Sequence, residues 1–200
     1  MQHINSLMLS LTSSFNKISL NVDDEIKIIN DNYLIKLNKD IDFIKTKIND
    51  TITPLYVMCE YGLLEVMKWY VCSNTHFSKF NETYHFNDTP LHIAVKYNQI
   101  KIVELLSSYN ININSTNIYG DSPISYAIQG NNIEIIKLLL SDKNIIEALH
   151  LSIKFNKCKI LEELLQYEVS YIAIEDALQI ACQYKYDAGI KLLTHHIEKL

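Results

Sequence analysis

The sequence predicts an all-α fold, a solenoid of antiparallel helix pairs that carry short hairpin fingers. Two observations predict it. Asp88-Thr89-Pro90-Leu91-His92-Ile93-Ala94 aligns without a gap on Asp121-Ser122-Pro123-Ile124-Ser125-Tyr126-Ala127. Ile100-Lys101-Ile102-Val103-Glu104-Leu105-Leu106 aligns in the same way on Ile133-Glu134-Ile135-Ile136-Lys137-Leu138-Leu139, again 33 residues on. A period of this size marks stacked repeats. Within each copy the apolar residues recur at helical spacing, as at Leu91, Ala94 and Val95, then Ile100, Val103 and Leu106.

The elements follow in order. Residues 1–32 read as an N-terminal lead and the start of capping helices. Residues 33–200 read as the repeat array. Tyr33 to Leu37 and Ile41 to Ile48 form a degenerate pair, within residues 33–50, that closes the N-terminal end, since terminal units of solenoids are atypical. Full units start near residues 53, 89 and 122. In the second and third, Thr89 and Ser122 are placed to cap an inner helix with their hydroxyls, and Pro90 and Pro123 take its first position, where a missing N–H costs nothing. Small Ala94 and Ala127 suit close approach of neighbouring inner helices. The first unit repeats the order with Thr53-Pro54-Leu55-Tyr56 and Leu64 to Trp69, its three extra residues falling in the finger. Ala148 to Ser152 with Ile160 to Leu164, and Ala177 to Ala181 with Ile190 to Leu193, make two further units starting near residues 147 and 176. They follow their predecessors so closely that their fingers must shrink to turns, leaving helix pairs. Asn98 and Asn131 lie between helices and Asn110 after an outer helix, and Asn tolerates a left-handed cap conformation next best after Gly.

These residues resemble the ankyrin repeat family, whose motif is a Thr-Pro-Leu-His turn opening a short inner helix, followed by an antiparallel outer helix and a hairpin finger. The resemblance implies an ankyrin-repeat solenoid in which inner helices and finger tips line a concave face. It also implies that His92 and His150, at the motif's fourth position, are scaffold residues bonding neighbouring loops. Asn114 matches a position that asparaginyl hydroxylases modify in some members.

Composition narrows the function. A chain with 48% hydrophobic and 20% charged residues is an ordinary packed chain. A net charge of -5 argues against a nucleic-acid partner, because phosphate binding needs a basic face. All 18 basic residues are lysine, so no planar guanidinium fork is present to clamp phosphate or carboxylate. No apolar run approaches the length of a membrane span, and the first twenty residues make a poor secretory signal, so a soluble cytoplasmic protein is expected. Cys59, Cys72, Cys158 and Cys182 are too scattered for a metal or redox pair and read as reduced, buried thiols.

No catalytic, cofactor-binding or metal-binding residue is expected. With four glycines there is no phosphate loop, dinucleotide turn or nucleophile elbow. His76, Glu82 and His85 share the first finger, and His195-His196 lie near Glu198, but neither set has tetrahedral ligand spacing. A metal-dependent enzyme using the first finger is the remote alternative.

The binding expectation rests on the two positions after each inner-helix small residue, which the resemblance points into the groove: Glu60-Tyr61, Lys96-Tyr97, Gln129-Gly130, Lys154-Phe155 and Gln183-Tyr184. Four of the five second positions are aromatic, the type that dominates interface hot spots. Either the rings are anchors for a partner or each leans on its neighbour; Gly130 either admits bulk from a ligand or is accidental. The long first finger, Cys72 to Phe86, adds Phe77, Phe80, Tyr84 and Phe86 as a contact loop, whereas the next, Asn112 to Asp121, is polar. The expected partner is a protein of unknown identity, with no nucleic acid and no membrane. A monomer is expected, and a self-associating assembly module is the competing reading.

The Asn-, Ile-, Lys- and Tyr-rich composition, typical of an AT-rich genome, resembles ankyrin proteins of large DNA viruses such as poxviruses and mimivirus-like giants. AT-rich protists and intracellular bacteria carry similar chains. In poxviruses such arrays often end in an F-box-like segment that recruits a ubiquitin ligase, and none is expected after the fifth unit, which runs directly into His195 to Leu200. The resemblance implies a host-interaction factor, in host cytoplasm or nucleus, that blocks its partner; inhibition of a Rel-type transcription factor is one specific version.

Overall fold

The computed structural model describes residues 39–40, 53–73, 83–109 and 111–199, with the side chains of Trp69, Cys72, Ser73 and His85 set aside. Residues 1–32, most of the expected cap pair at 33–50, and Asn110 lie outside that set; Lys39 and Asp40 are helical. The described chain is helical, with no strand among its residues.

Five helix pairs follow one another. Unit 1 is α1 (Pro54–Tyr61) and α2 (Leu64–Ser73). Unit 2 is α3 (Pro90–Lys96) and α4 (Ile100–Ser107), preceded by a single 3₁₀ turn, His85–Asn87. Unit 3 is α5 (Pro123–Gln129) and α6 (Ile133–Leu139). Unit 4 is α7 (Ile145–Lys154) and α8 (Cys158–Leu164), and unit 5 is α9 (Tyr171–Gln183) and α10 (Asp187–Ile197). Inner helices α1, α3, α5, α7 and α9 pack each on the next, and α2, α4 and α6 do so along the outer row.

Local sequence starts the helices largely as expected. Thr53 Oγ1 accepts the Tyr56 N–H at 3.3 Å, and Thr89 Oγ1 accepts the His92 N–H at 3.4 Å, with Pro54 and Pro90 at the first helical position. Ser122 departs from expectation. It makes no cap bond to its own helix; its hydroxyl turns instead to donate a charge-assisted bond to Glu147 Oε1 of α7 at 2.5 Å.

Every inner helix ends the same way. A residue in the left-handed region follows it: Gly62 (φ 67), Asn98 (φ 59), Asn131 (φ 58), Asn156 (φ 53) and Lys185 (φ 54). The next N–H then reaches back to the carbonyl of Met58, Ala94, Ala127, Ser152 or Ala181, at 2.7 to 3.1 Å. This six-to-one bond is the Schellman closure. The five accepting residues are themselves buried to within 1% of full burial, and the last four are Ala or Ser, so the backbone closure and the close approach of inner helices fall on one position.

The core runs continuously between the rows. Ile102, Val103 and Leu106 of α4, Ile135, Ile136 and Leu139 of α6, and Ile160, Leu161 and Leu164 of α8 are buried at matching positions. In α10 the place of Ile102 is taken by Gly189, and a Cβ there would stand 2.3 Å from the Tyr186 ring, which fills the space instead. Not all thiols are buried as expected: Cys59 is, and burial pushes its pKa up, but Cys182 in the last described unit is exposed because no further helix among the described residues covers it.

The inner helices lengthen from unit 3 onward, α1 holding 8 residues. They hold 7 residues in units 2 and 3, then 10 in α7 and 13 in α9. Between α4 and α5 the finger occupies residues 108–122, whereas only 140–144 and 165–170 precede α7 and α9. Chain that forms fingers earlier is wound into the inner helix later.

Lys185 is the strained cap, a side-chain-bearing residue in the left-handed region with an exposed surface position. Lys185→Gly is expected to raise unfolding free energy by about 0.5–1 kcal/mol, and Gly62→Ala to lower it, since a Cβ at Gly62 would strike the Gln99 side chain as well. Urea unfolding of the two variants checks both signs.

Candidate protein-interaction surface

Two polar clusters fix the fingers. At the base, the His92 ring is fully buried between units 2 and 3. Its Nδ1 accepts the Thr89 N–H at 3.1 Å and lies 2.8 Å from Thr89 Oγ1, and its Nε2 lies 3.0 Å from the Asp121 carbonyl oxygen. An N–H can only donate and a carbonyl can only accept, so the single ring proton sits on Nε2 and the neutral ring satisfies both partners. At the tip, Asn117 is the hub. Its Oδ1 accepts the N–H groups of Tyr119 (2.9 Å) and Asp121 (3.0 Å); its Nδ2 donates to Asp88 Oδ1 (2.9 Å) and to the Tyr126 hydroxyl (3.0 Å). Asp88 is buried, and burial with the charges of Asp88 and Asp121 pushes the Tyr126 hydroxyl up to about 12.

These clusters hold two tips outward. Phe86 is 51% exposed, Ile118 57% and Tyr119 66%. The Phe86 and Tyr119 rings lie 5.5 Å apart, and the Ile118 N–H donates to the Phe86 carbonyl at 2.9 Å, joining adjacent fingers. Phe86 sits at φ 62, ψ 20, followed by Asn87 at φ 61. A bulky residue in the left-handed region is backbone strain, which folds retain where the surroundings over-determine it. Gly120 (φ 79) takes the corresponding turn in the next finger without that cost.

The expected groove residues divide. Tyr61, Tyr97 and Tyr184 are exposed, as are Lys96, Gln129 and Lys154. Glu60, Tyr84 and Phe155 are half-buried. Tyr84 stacks edge-on against Tyr56 with centroids 5.9 Å apart, and Lys154 Nζ stands 5.6 Å over the Phe155 ring. Burial raises the Tyr97 hydroxyl pKa, and that hydroxyl also interacts with Tyr56 and Glu60 of the preceding unit. Tyr97 therefore both shows a face to solvent and leans on its neighbour. Phe77, Phe80, His76 and Glu82, with the His85 side chain, lie outside the described set.

Of the two scaffold histidines, His92 bonds the neighbouring loop as expected. His150 does not: its Nε2 is buried without a hydrogen-bond partner. The reason is the longer α7, which starts at Ile145, so the place of the capping Thr89 is held by Glu147 inside the helix, and His150 has no cap to close. Asn114, half-buried, accepts from buried Asn144 Nδ2 at 2.9 Å. Asn117, Ile118 and Tyr119 do not stand out in the sequence because their finger is polar and Asn-rich; the Asn117-x-x-Gly120 spacing is the signal of a turn at its tip. Among the described residues no three His, Cys, Asp or Glu side chains gather to hold a metal ion, and no helix is long and apolar enough to cross a membrane.

A family model described as ankyrin repeats in three copies matches residues 29–117 and 55–147. The match thus begins upstream of the first described helix pair. In structure the chain is similar to the crystal structure of the human ASB11 ankyrin repeat domain, at 18% identity and a TM-score of 0.53, over 72% of this chain and 68% of that one. At that identity the likeness speaks for the fold alone. No curated protein matches the sequence.

The neutral His92 relay has a pH consequence. Burial is the larger influence and lowers its pKa below the ordinary value of about 6.5, against the raising effect of Asp121 and Asp88. The unfolded chain therefore binds a proton that the folded chain resists, so the contribution is complete above about pH 6.5 and is lost as pH falls below it. Thermal unfolding between pH 7.5 and 5 should show a steeper acid decline in the native chain than in His92→Gln.

Proposed function

This chain belongs to the ankyrin repeat family, and from that premise we propose that it is a non-catalytic scaffold that holds a partner protein against its inner-helix ends and finger tips. Ankyrin repeats are generally protein-interaction modules, which is the coarse part of the reading. The observation that carries the finer part is a group of large apolar side chains left in solvent at the inner-helix ends and finger tips of the first three units: Tyr61, Phe86, Tyr97, Ile118 and Tyr119, each between 41% and 66% exposed. Isolated exposed apolar residues are ordinary, but rings at successive repeats, two of them tilted together on adjacent fingers, form the type of surface that anchors a partner. Glu60, Lys96, Gln129 and Lys154 supply the polar surround, and Phe155 and Tyr184 extend the row into units 4 and 5.

The composition favours a host-interaction factor of a virus or intracellular microbe, one that occupies its partner's surface. The partner is a protein; the net negative charge of the chain, with carboxylates outnumbering lysines 23 to 18, disfavours nucleic acid.

Affinity capture from cells of the native host tests the reading. The wild-type chain is expected to retain a partner that a Tyr61→Ala/Tyr97→Ala/Phe155→Ala variant loses, and that Phe86→Gly loses while unfolding at an equal or higher temperature because strain is relieved. A partner retained equally by both variants, each shown folded by circular dichroism, would contradict it.

A further inference from the structure

Three of the described glycines have evident backbone or packing reasons. Gly62 and Gly120 have positive φ, and Gly189 yields its side-chain space to the Tyr186 ring. Gly130 has neither reason. It lies at φ -71, ψ -5, and no side chain stands within 4 Å of where its Cβ would be; only the carbonyl oxygens of Tyr126 and Ala127, in its own helix, do so at 3.2 and 3.8 Å. It occupies the position that carries Tyr61, Tyr97, Phe155 and Tyr184 in the other units.

A cavity of about 540 Å³ opens at that place, lined by Lys96, Asn98, Tyr126, Gly130, Asn132 and Glu134 among others. The equivalent junction between units 1 and 2 is crossed by Gln99, whose Nε2 donates to the Glu60 carbonyl at 2.8 Å. Its counterpart Asn132 is one methylene shorter, bonds the Asn98 side chain instead, and caps α6 by accepting the Ile135 N–H. A missing ring and a shortened amide together leave the space open.

The charge around it is distinctive in a chain of net charge -5. Lys96 and Lys154, at equivalent positions one unit to either side of Gln129, are exposed, and neither joins the ion pairs formed among the described residues. Lys96 Nζ stands 5.9 Å over the Tyr126 ring that walls the cavity, so the ammonium is fixed at the rim by a cation–π contact while its outer side faces solvent. Glu134 is the single acidic residue of the lining.

We propose that the Gly130 notch seats one aromatic side chain of the partner, within a segment whose flanking residues are acidic and meet Lys96 and Lys154. The inference rests on the scaffold reading and specifies the partner chemistry that one stretch of the groove takes. The ring completes the row that Gly130 interrupts, and the carboxylates meet two exposed lysines that join no ion pair among the described residues.

The test is an NMR titration of the ¹⁵N-labelled chain with three probe peptides: acetyl-Asp-Glu-Tyr-Glu-Asp-amide, its Tyr→Ala version, and acetyl-Lys-Lys-Tyr-Lys-Lys-amide. The acidic tyrosine peptide is expected to shift the Lys96, Gly130 and Asn131 amides. Binding should weaken at least about tenfold, the effect of losing one buried anchor, for the alanine peptide and for a Gly130→Tyr variant. Gly130→Ala, which adds almost no bulk, should retain it, and Lys96→Gln with Lys154→Gln should reduce its salt dependence. Equal binding by Gly130→Tyr, preference for the lysine peptide, or no shift with any peptide would overturn the notch. Retention of the cellular partner separates the two readings: capture lost in the Tyr61/Tyr97/Phe155 variant but unchanged in Gly130→Tyr overturns the notch alone, and capture unchanged in both overturns the scaffold reading as well.

Discussion

A buried imidazole joins the second unit to the third, and the finger geometry depends on it. His92 takes the Thr89 N–H on one nitrogen and gives its proton to the Asp121 carbonyl on the other. Inner helices of 7 residues are too short to persist alone, so each must be held by its neighbours. Apolar contact supplies the energy, but it is indifferent to small sliding. The imidazole fixes the relative height of two units, and the Asn117 cluster then fixes the tip above it. Apolar side chains can be left exposed on such fingers because the backbone beneath them is satisfied by buried groups.

Where that relay lapses, the fold changes character. In unit 3 the place of the histidine is taken by Ser125, whose hydroxyl turns back to the Ser122 carbonyl at 2.8 Å. Ser122 in turn donates forward to Glu147, and the next inner helix begins earlier and runs longer. By α9 the gain is 6 residues over α5, and no finger remains. The array therefore has two regimes, a fingered one through units 2 and 3 and a helical one through units 4 and 5. The cavity beside Gly130 lies in the last fingered unit, on the side of the second.

The period and the starts of the Pro-led inner helices were legible in the sequence because they depend on spacing alone, whereas α7 and α9, which no proline opens, begin ahead of the positions near 147 and 176 that the repeat spacing suggests. The short spacing of the last units likewise foretold their missing fingers. The cap at Ser122 and the role of His150 were not legible, since the first turns on a bond to Glu147 of the next unit and the second on an inner helix that starts early enough to put Glu147 where a capping residue would stand. The exposed tips were missed for a related reason. Asn117 looks like one polar residue among many until its four bonds are seen to point Ile118 and Tyr119 outward. The exposure of the aromatic row was undecidable in advance, and Tyr97 proves to share both fates, half leaning on Tyr56 and half in solvent.

Hydroxyl-radical footprinting of the complex with a captured partner tests the central claim most directly, because oxidation of each ring reports its own access to solvent. The account predicts that Tyr61, Phe86, Tyr97 and Tyr119 become protected on binding while Tyr167, exposed just beyond the outer helix α8, keeps its reactivity. Protection of Tyr167 with the finger-tip rings left reactive would place the partner on the other face and contradict it.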